Sequence, residues 1–161
     1  MSTTAQLLCD SGGSVLTIDS TNAFNSLSRS AILSAVAERL PGLYSYVVML
    51  YGADSIPDLV FALAGQKQAA VIQSLQGIQQ GDPLGPLLWA VTLLAVAVAF
   101  KERFPKLALP SYLDDTYICS TGTDSPECET KMVLEAFDWL SEQLNLRNVA
   151  VNPPKSVFVL P

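Results

Sequence analysis

The sequence predicts an α+β domain in which helices pack on one face of an antiparallel sheet. Three observations point there. Short apolar runs are punctuated by Gly, Pro and Asp, as strands and hairpins are. Longer stretches repeat their apolar residues at helical spacing. The two kinds alternate as strand, helices, hairpin, helix, hairpin, helix, strands, which is a mixed-layer order rather than a repeating βαβ one. At 161 residues, half of them apolar, the chain is the right size for one core, read as a single domain over 1–161.

The elements follow in order. Residues 14–18, Ser-Val-Leu-Thr-Ile, read as a strand running into Asp19. A loop with a turn of helix follows through Asn25. Ser28 caps a helix whose apolar face is Ile32, Leu33, Val36 and Leu40. Pro41-Gly42 stops it, Pro41 also suiting the first turn of a second helix over 43–51 that Gly52 closes. Residues 58–64 and 69–75 read as two strands joined at Gly65-Gln66-Lys67. Residues 76–81 form a loop with two glycines, after which Asp82 at the N-cap and Pro83 at the first helical position open a long apolar helix.

That helix carries no charge from Leu84 to Phe100, then meets Lys101, Glu102 and Arg103 at once. It is short for a membrane span of ~20 residues, so a buried core helix is expected and no membrane partner. Residues 107–112 and 116–120 pair around the tight turn Leu113-Asp114-Asp115. An acidic helix follows, with Met132, Val133, Ala136, Phe137, Leu140 and Leu144 on its apolar face. Its acids are expected on the solvated side. Two short strands, 147–151 and 156–160, close the chain around Asn152-Pro153-Pro154-Lys155.

Composition limits the chemistry. There is no His, which removes imidazole bases, Ser-His-Asp triads and His metal sites. Cys9, Cys119 and Cys128 have no Cys-x-x-Cys spacing, so they form no zinc set, and free scattered thiols fit a reducing, intracellular compartment. Residues 1–10 do not read as a leader peptide. The formal charge is −6, from 15 acids against 9 bases, opposite to the balance of a protein that grips phosphates. Part of that excess is local: Asp124, Glu127, Glu129, Glu135, Asp138 and Glu142 face Lys131 alone in the acidic helix.

The chemistry rests on carboxylates beside apolar strands. Asp19 ends one strand, and Asp114 and Asp115 sit at a hairpin tip. Adjacent acids repel and usually need a cation. If the two strand ends lie side by side, three carboxylates converge into an oxygen-ligand set for magnesium. Taken singly, a loop-capping Asp and a solvated Asp-Asp turn explain these residues equally well.

Four ordered segments shift that balance. They are Ile18-Asp19-Ser20-Thr21-Asn22-Ala23-Phe24-Asn25, the run from Gly77 to Leu88 containing Gln80-Gly81-Asp82-Pro83-Leu84-Gly85-Pro86, the box Tyr112-Leu113-Asp114-Asp115, and Asn152-Pro153-Pro154-Lys155-Ser156. Together, over about 15–159, they resemble the palm motifs of reverse transcriptases, most of all those of non-LTR (LINE-type) retrotransposons. The resemblance implies a polymerase palm acting as an RNA-directed DNA polymerase. Two Mg²⁺ ions, or Mn²⁺ in their place, would be held by Asp19, Asp114 and Asp115, with the Ser20 carbonyl as an extra ligand. It implies that Phe24 excludes a 2′-hydroxyl, that Gln80 and Gly81 lie against the incoming dNTP, and that Lys155 meets departing pyrophosphate. The implied partners are an RNA template, a DNA primer and dNTPs.

The sequence departs from the family in places. No Lys or Arg precedes Asp19. The basic fingers segment expected upstream and the thumb expected downstream are read as missing, which accounts for the acidic balance and for an expectation of little activity from the chain by itself. Ser20 stands where a bulky apolar residue is frequent, and Asn148 where glycine is usual; Asn tolerates left-handed backbone. Two other readings remain open here. One is an RNA-dependent RNA polymerase palm, which Phe24 disfavours. The other is a non-catalytic remnant that persists as a folded binding module with exposed apolar surface.

Overall fold

The β-ladder that organises the chain is antiparallel, in the strand order β5 (Ser111–Tyr112), β6 (Asp115–Cys119), β1 (Val15–Ile18), β8 (Val157–Val159). The computed structural model describes residues 13–53, 58–61 and 70–159. It divides into two compact units, one drawing on Met1–Ala23 and Leu93–Pro161, the other on Phe24–Thr92.

In the first unit β1 (Val15–Ile18) lies between β6 (Asp115–Cys119) and β8 (Val157–Val159). Its register sets Val15 opposite Cys119, Leu16 opposite Ile118, Thr17 opposite Tyr117 and Ile18 opposite Thr116. Alternation along the strands gives the two faces different tasks. Leu16, Ile18 and Ile118 are buried in the core. On the other face Val15 and Cys119 are buried with Ala108 and Tyr117 packed against them. A small second ladder pairs β2 (Ser20–Thr21) with β7 (Ala150–Val151).

The strand expected over 107–112 is broken. Ala108 exchanges both backbone hydrogen bonds with Cys119, and β5 is only Ser111–Tyr112. Pro110, between them, has no N–H to give, although its carbonyl still accepts from Tyr117 at 3.0 Å. The loop residues of this hairpin are Leu113 and Asp114, because Tyr112 pairs with Asp115. Asp115 is therefore the first residue of β6 rather than part of the turn. Leu113 takes φ +57°, unusual for a residue with a Cβ. Asn148, at φ +62°, takes the left-handed turn its side chain allows.

The acidic helix is α5 (Pro126–Asn145), capped by Ser125, whose hydroxyl accepts from the Cys128 N–H. Val133, Ala136, Leu140 and Leu144 are buried, and Met132 and Phe137 half-buried. Glu127, Glu135, Asp138 and Glu142 lie on the expected solvated side and Asp124 is half-buried, but Glu129 is 3% exposed. Its carboxylate accepts the Ser120 hydroxyl at 2.6 Å and the Asp124 N–H at 3.1 Å, and these bonds offset its desolvation. Phe100, Phe104 and Trp139 cluster with centroids 5.2 to 6.1 Å apart, joining the end of the long helix to α5.

A short α1 (Ala23–Ser26) begins at the last residue of the first unit's leading segment, and the second unit continues with α2 (Arg29–Arg39) and α3 (Pro41–Tyr51). Ser28 caps α2 as expected, accepting from Ala31 N–H, and Ile32 and Val36 on α2 and Val47 and Tyr51 on α3 are buried. Gly52 ends α3 in extended rather than left-handed backbone, at φ −68°. Strands β3 (Asp58–Phe61) and β4 (Ala70–Gln73) pair antiparallel, while the Gly65-Gln66-Lys67 turn lies outside the described residues.

The long helix, α4, runs Gly85–Arg103, beginning later than Asp82-Pro83 suggests. Asp82 does not cap it. One carboxylate oxygen accepts the Leu84 N–H at 2.8 Å and the other takes a hydroxyl from Tyr51, so the residue closes a turn ahead of the helix. Among the described residues α4 is the one helix long and apolar enough to cross a membrane. Leu88, Trp89, Val91, Val96 and Phe100 on it are buried, but Leu87, Leu94 and Val98 are exposed, so one face packs in the core and the helix is not buried all round as expected.

Candidate active site

The β1–β6 register decides where the sequence-predicted carboxylates meet. Ile18 faces Thr116, so Asp19 and Asp115 are the next residues along the two chains at the end where this ladder stops. Alternation puts both on the face that carries Thr17 and Tyr117. These residues line one cleft of about 150 Å³, together with Ile18, Thr116 and Lys155. Asp19 is half-buried, while Asp115 and Lys155 are exposed.

Asp19 is held by its backbone. Its N–H donates to Ser156 Oγ at 3.3 Å, and its carbonyl accepts the Asn152 N–H at 2.8 Å. Ser156 Oγ in turn donates to the Asn152 carbonyl at 3.0 Å. Both partners flank the short 3₁₀ turn Pro153–Lys155. One turn therefore fixes the Asp19 backbone and carries Lys155 into the same cleft. Thr17 adds a second tie, its hydroxyl donating to the Val157 carbonyl and accepting the Val157 N–H, each at 3.1 Å. The part played by Ser156 and Asn152 was not read from the sequence. Only the register of β1 against β8 reveals it, although Ser156 stands beside Lys155.

The other expected residues fall as follows. Asp114 is exposed in the two-residue loop, next to Asp115 but outside the residues lining the cleft. The cleft thus gathers two carboxylates rather than the expected three, because the hairpin tip sits one residue earlier. Among the described residues no three His, Cys, Asp or Glu side chains cluster as a metal cage. Two hard oxygen donors nevertheless suit magnesium, which is commonly bound by one or two carboxylates and completed by water and substrate phosphates. Ser20 is half-buried at the start of the β2–β7 ladder.

Phe24, Gln80 and Gly81 belong to the second unit. Phe24 is half-buried, its ring stacked on Trp89 with centroids 4.9 Å apart and planes 23° from parallel. Gln80 and Gly81 are exposed. Gly81 has φ +88°, which glycine alone adopts freely, and nothing lies within 4 Å of where a Cβ would stand.

The architecture is that of a polymerase palm. Telomerase from Candida Tropicalis, solved in its apo form without its C-terminal domain, superposes with a TM-score of 0.68 over 92% of this chain, at 15% identity and 31% of its own length. The same telomerase in complex with a fragment of telomeric RNA gives 0.64 over 91%, at 15% identity and 26% of that chain. At such identities the likeness concerns fold alone. The sequence profile described as reverse transcriptase (RNA-dependent DNA polymerase) matches residues 7–161, and the chain belongs to that family. It is 33% identical over 140 residues to a retrotransposable element SLACS 132 kDa protein of Trypanosoma brucei gambiense. That match takes in 86% of this chain and 11% of the relative's length.

Proposed function

We propose that this chain carries the catalytic centre of a retroelement RNA-directed DNA polymerase, which adds deoxynucleotides to a primer 3′-hydroxyl on an RNA template. The observation that supports it most is the meeting of Asp19, Asp115 and Lys155 in one cleft, from three segments distant in sequence. A carboxylate pair beside a lysine offers hard oxygen ligands to a divalent cation and a positive, proton-bearing group to a phosphate.

In this reading Asp19 and Asp115 hold Mg²⁺ or Mn²⁺, with Asp114 and the Ser20 carbonyl as further donors. Bound there, two such ions supply the charge that makes a 3′-hydroxyl nucleophilic and neutralises the triphosphate it attacks. The chain's own residues do the rest. Lys155, on its rigid turn, offers a proton and a positive charge toward leaving pyrophosphate. Gln80 and Gly81 present an amide and an unobstructed backbone to the nucleotide. Phe24, stiffened by its stack on Trp89, selects sugars without a 2′-hydroxyl. That one telomerase relative was solved with telomeric RNA adds weight to an RNA partner for this fold.

The test is primer extension on an RNA template with Mg²⁺ or Mn²⁺, comparing the chain with its Asp114→Ala variant. Extension that depends on Asp114 and prefers dNTPs supports the reading. Equal signals from both proteins remove the catalytic assignment, and equal use of rNTPs removes the role of Phe24.

A further inference from the structure

The Gln80–Gly81 segment is exposed, yet the backbone on either side of it is tied down by the buried Tyr51 and the half-buried Arg29 and Asp82. Arg29, the first residue of α2, reaches the loop with its planar fork. Its Nε donates to the Gly77 carbonyl and a terminal nitrogen to Ser74 Oγ, both at 3.1 Å. The same guanidinium lies over the Tyr51 ring, 5.3 Å from its centroid. Tyr51, the last residue of α3, is 2% exposed. Its hydroxyl donates to the Asp82 carboxylate and accepts the Gln79 N–H at 3.4 Å. Asp82 N–H donates back to the Gln79 carbonyl at 3.2 Å. One phenol oxygen therefore fixes both residues that flank Gln80 and Gly81.

The loop is pinned at its start as well. Gly77 has φ +73°, its N–H donates to the Leu27 carbonyl at 3.1 Å, and a Cβ there would collide with the Asn25 backbone. A buried phenol and two half-buried charged groups lose more hydration than a Leu or Phe in the same space would, and their hydrogen bonds offset that loss. Here all three converge on one short segment, whose outer side is open: nothing stands within 4 Å of a Cβ at Gly81. Such a loop is rigid from beneath and accessible from above, as a surface that must meet a ligand in one fixed geometry has to be.

We propose that Arg29, Tyr51 and Asp82 are positioning residues that set the geometry with which the Gln80–Gly81 segment receives the incoming nucleotide. The proposal rests on the polymerase reading for the identity of the ligand. The tie itself is independent of that reading.

Tyr51→Phe removes one oxygen and keeps the ring under Arg29. The experiment is amide hydrogen exchange on the full chain, paired with primer extension over a dNTP concentration series. Exchange at Gln79 and Asp82 is expected to rise about tenfold, with the β1 and β6 amides unchanged. The KM for dNTP rises about tenfold while kcat stays within about twofold. Arg29→Lys, which keeps the charge and loses the fork, moves KM in the same direction. Unchanged exchange at Gln79 and Asp82 overturns the tie. Faster exchange with unchanged KM overturns the positioning role and leaves a structural one. A wild-type chain that neither extends a primer nor binds dNTP with Mn²⁺ defeats the polymerase reading and the nucleotide as ligand, whatever the exchange data show of the tie.

Discussion

Ser156→Ala removes the one side chain that holds the N–H of Asp19. Two hydrogen bonds go with it: Asp19 N–H to Oγ at 3.3 Å, and Oγ to the Asn152 carbonyl at 3.0 Å. The Asn152 carbonyl keeps other donors, the N–H groups of Lys155 and Ser156, both at 3.1 Å. It loses little. The Asp19 N–H is part-buried and loses the partner the hydroxyl gave it. An orphaned donor costs about 1–3 kcal/mol, and the long 3.3 Å bond puts this one near the lower end, at about 1 kcal/mol. For a chain of this size that lowers Tm by about 2–4 °C. The same loosening acts on the Asp19 carboxylate, so Mn²⁺ affinity falls by about fivefold. Equilibrium denaturation and a Mn²⁺ titration read the two effects on one preparation. Ser156→Thr, which keeps the hydroxyl on extended backbone, restores both. If Ser156→Ala leaves stability and Mn²⁺ affinity at wild-type values, the turn does not hold Asp19 and the reasoning is wrong.

Two further outcomes concern buried groups. Burial, and then the hydrogen bond to Asp82, push the Tyr51 phenol up to about 12. That is above its unfolded value of about 10, so its contribution to stability is complete below that pH and is lost as pH rises through about 12, a loss on the order of 2 kcal/mol. An alkaline titration followed by tyrosinate absorbance should show a late-ionising phenol that is missing in Tyr51→Phe; a late phase that persists in Tyr51→Phe, or none in the wild type, contradicts the burial. Glu129→Ala strips the acceptor from the Ser120 hydroxyl and the Asp124 N–H, and should cost about 2–4 kcal/mol by denaturant midpoint, with Glu129→Gln costing less. An Ala variant as stable as wild type would mean this carboxylate network carries no stability.

Much of the scaffold could be read from local chemistry. The Ser28 cap, the Pro41 helix start, the strand before Asp19 and the left-handed Asn148 depend on neighbours a few residues away, and each stands where expected. Where the reading fell short, a distant partner had intervened. Asp82-Pro83 has the look of a helix start, but Tyr51 claims one oxygen of Asp82 and turns it into a loop anchor. Glu129 follows the pattern of a wet helix face, and only Ser120 and the Asp124 N–H explain its burial. In the hairpin, Pro110 interrupts a ladder whose register is otherwise continuous, and the tip moves to Leu113-Asp114. The candidate site shows the same division. The carboxylates and the lysine were legible as residue types in order. The Ser156 and Asn152 contacts, and the network under Gln80, require two or three segments to be folded against one another first.

A Mn²⁺ titration of the full chain followed by water proton relaxation measures directly whether Asp19 and Asp115 share a cation at the end of the β1–β6 ladder. If they do, binding is saturable and weakens by about tenfold or more in Asp19→Asn and in Asp115→Asn alike. Wild-type affinity retained in both variants would contradict the shared cation.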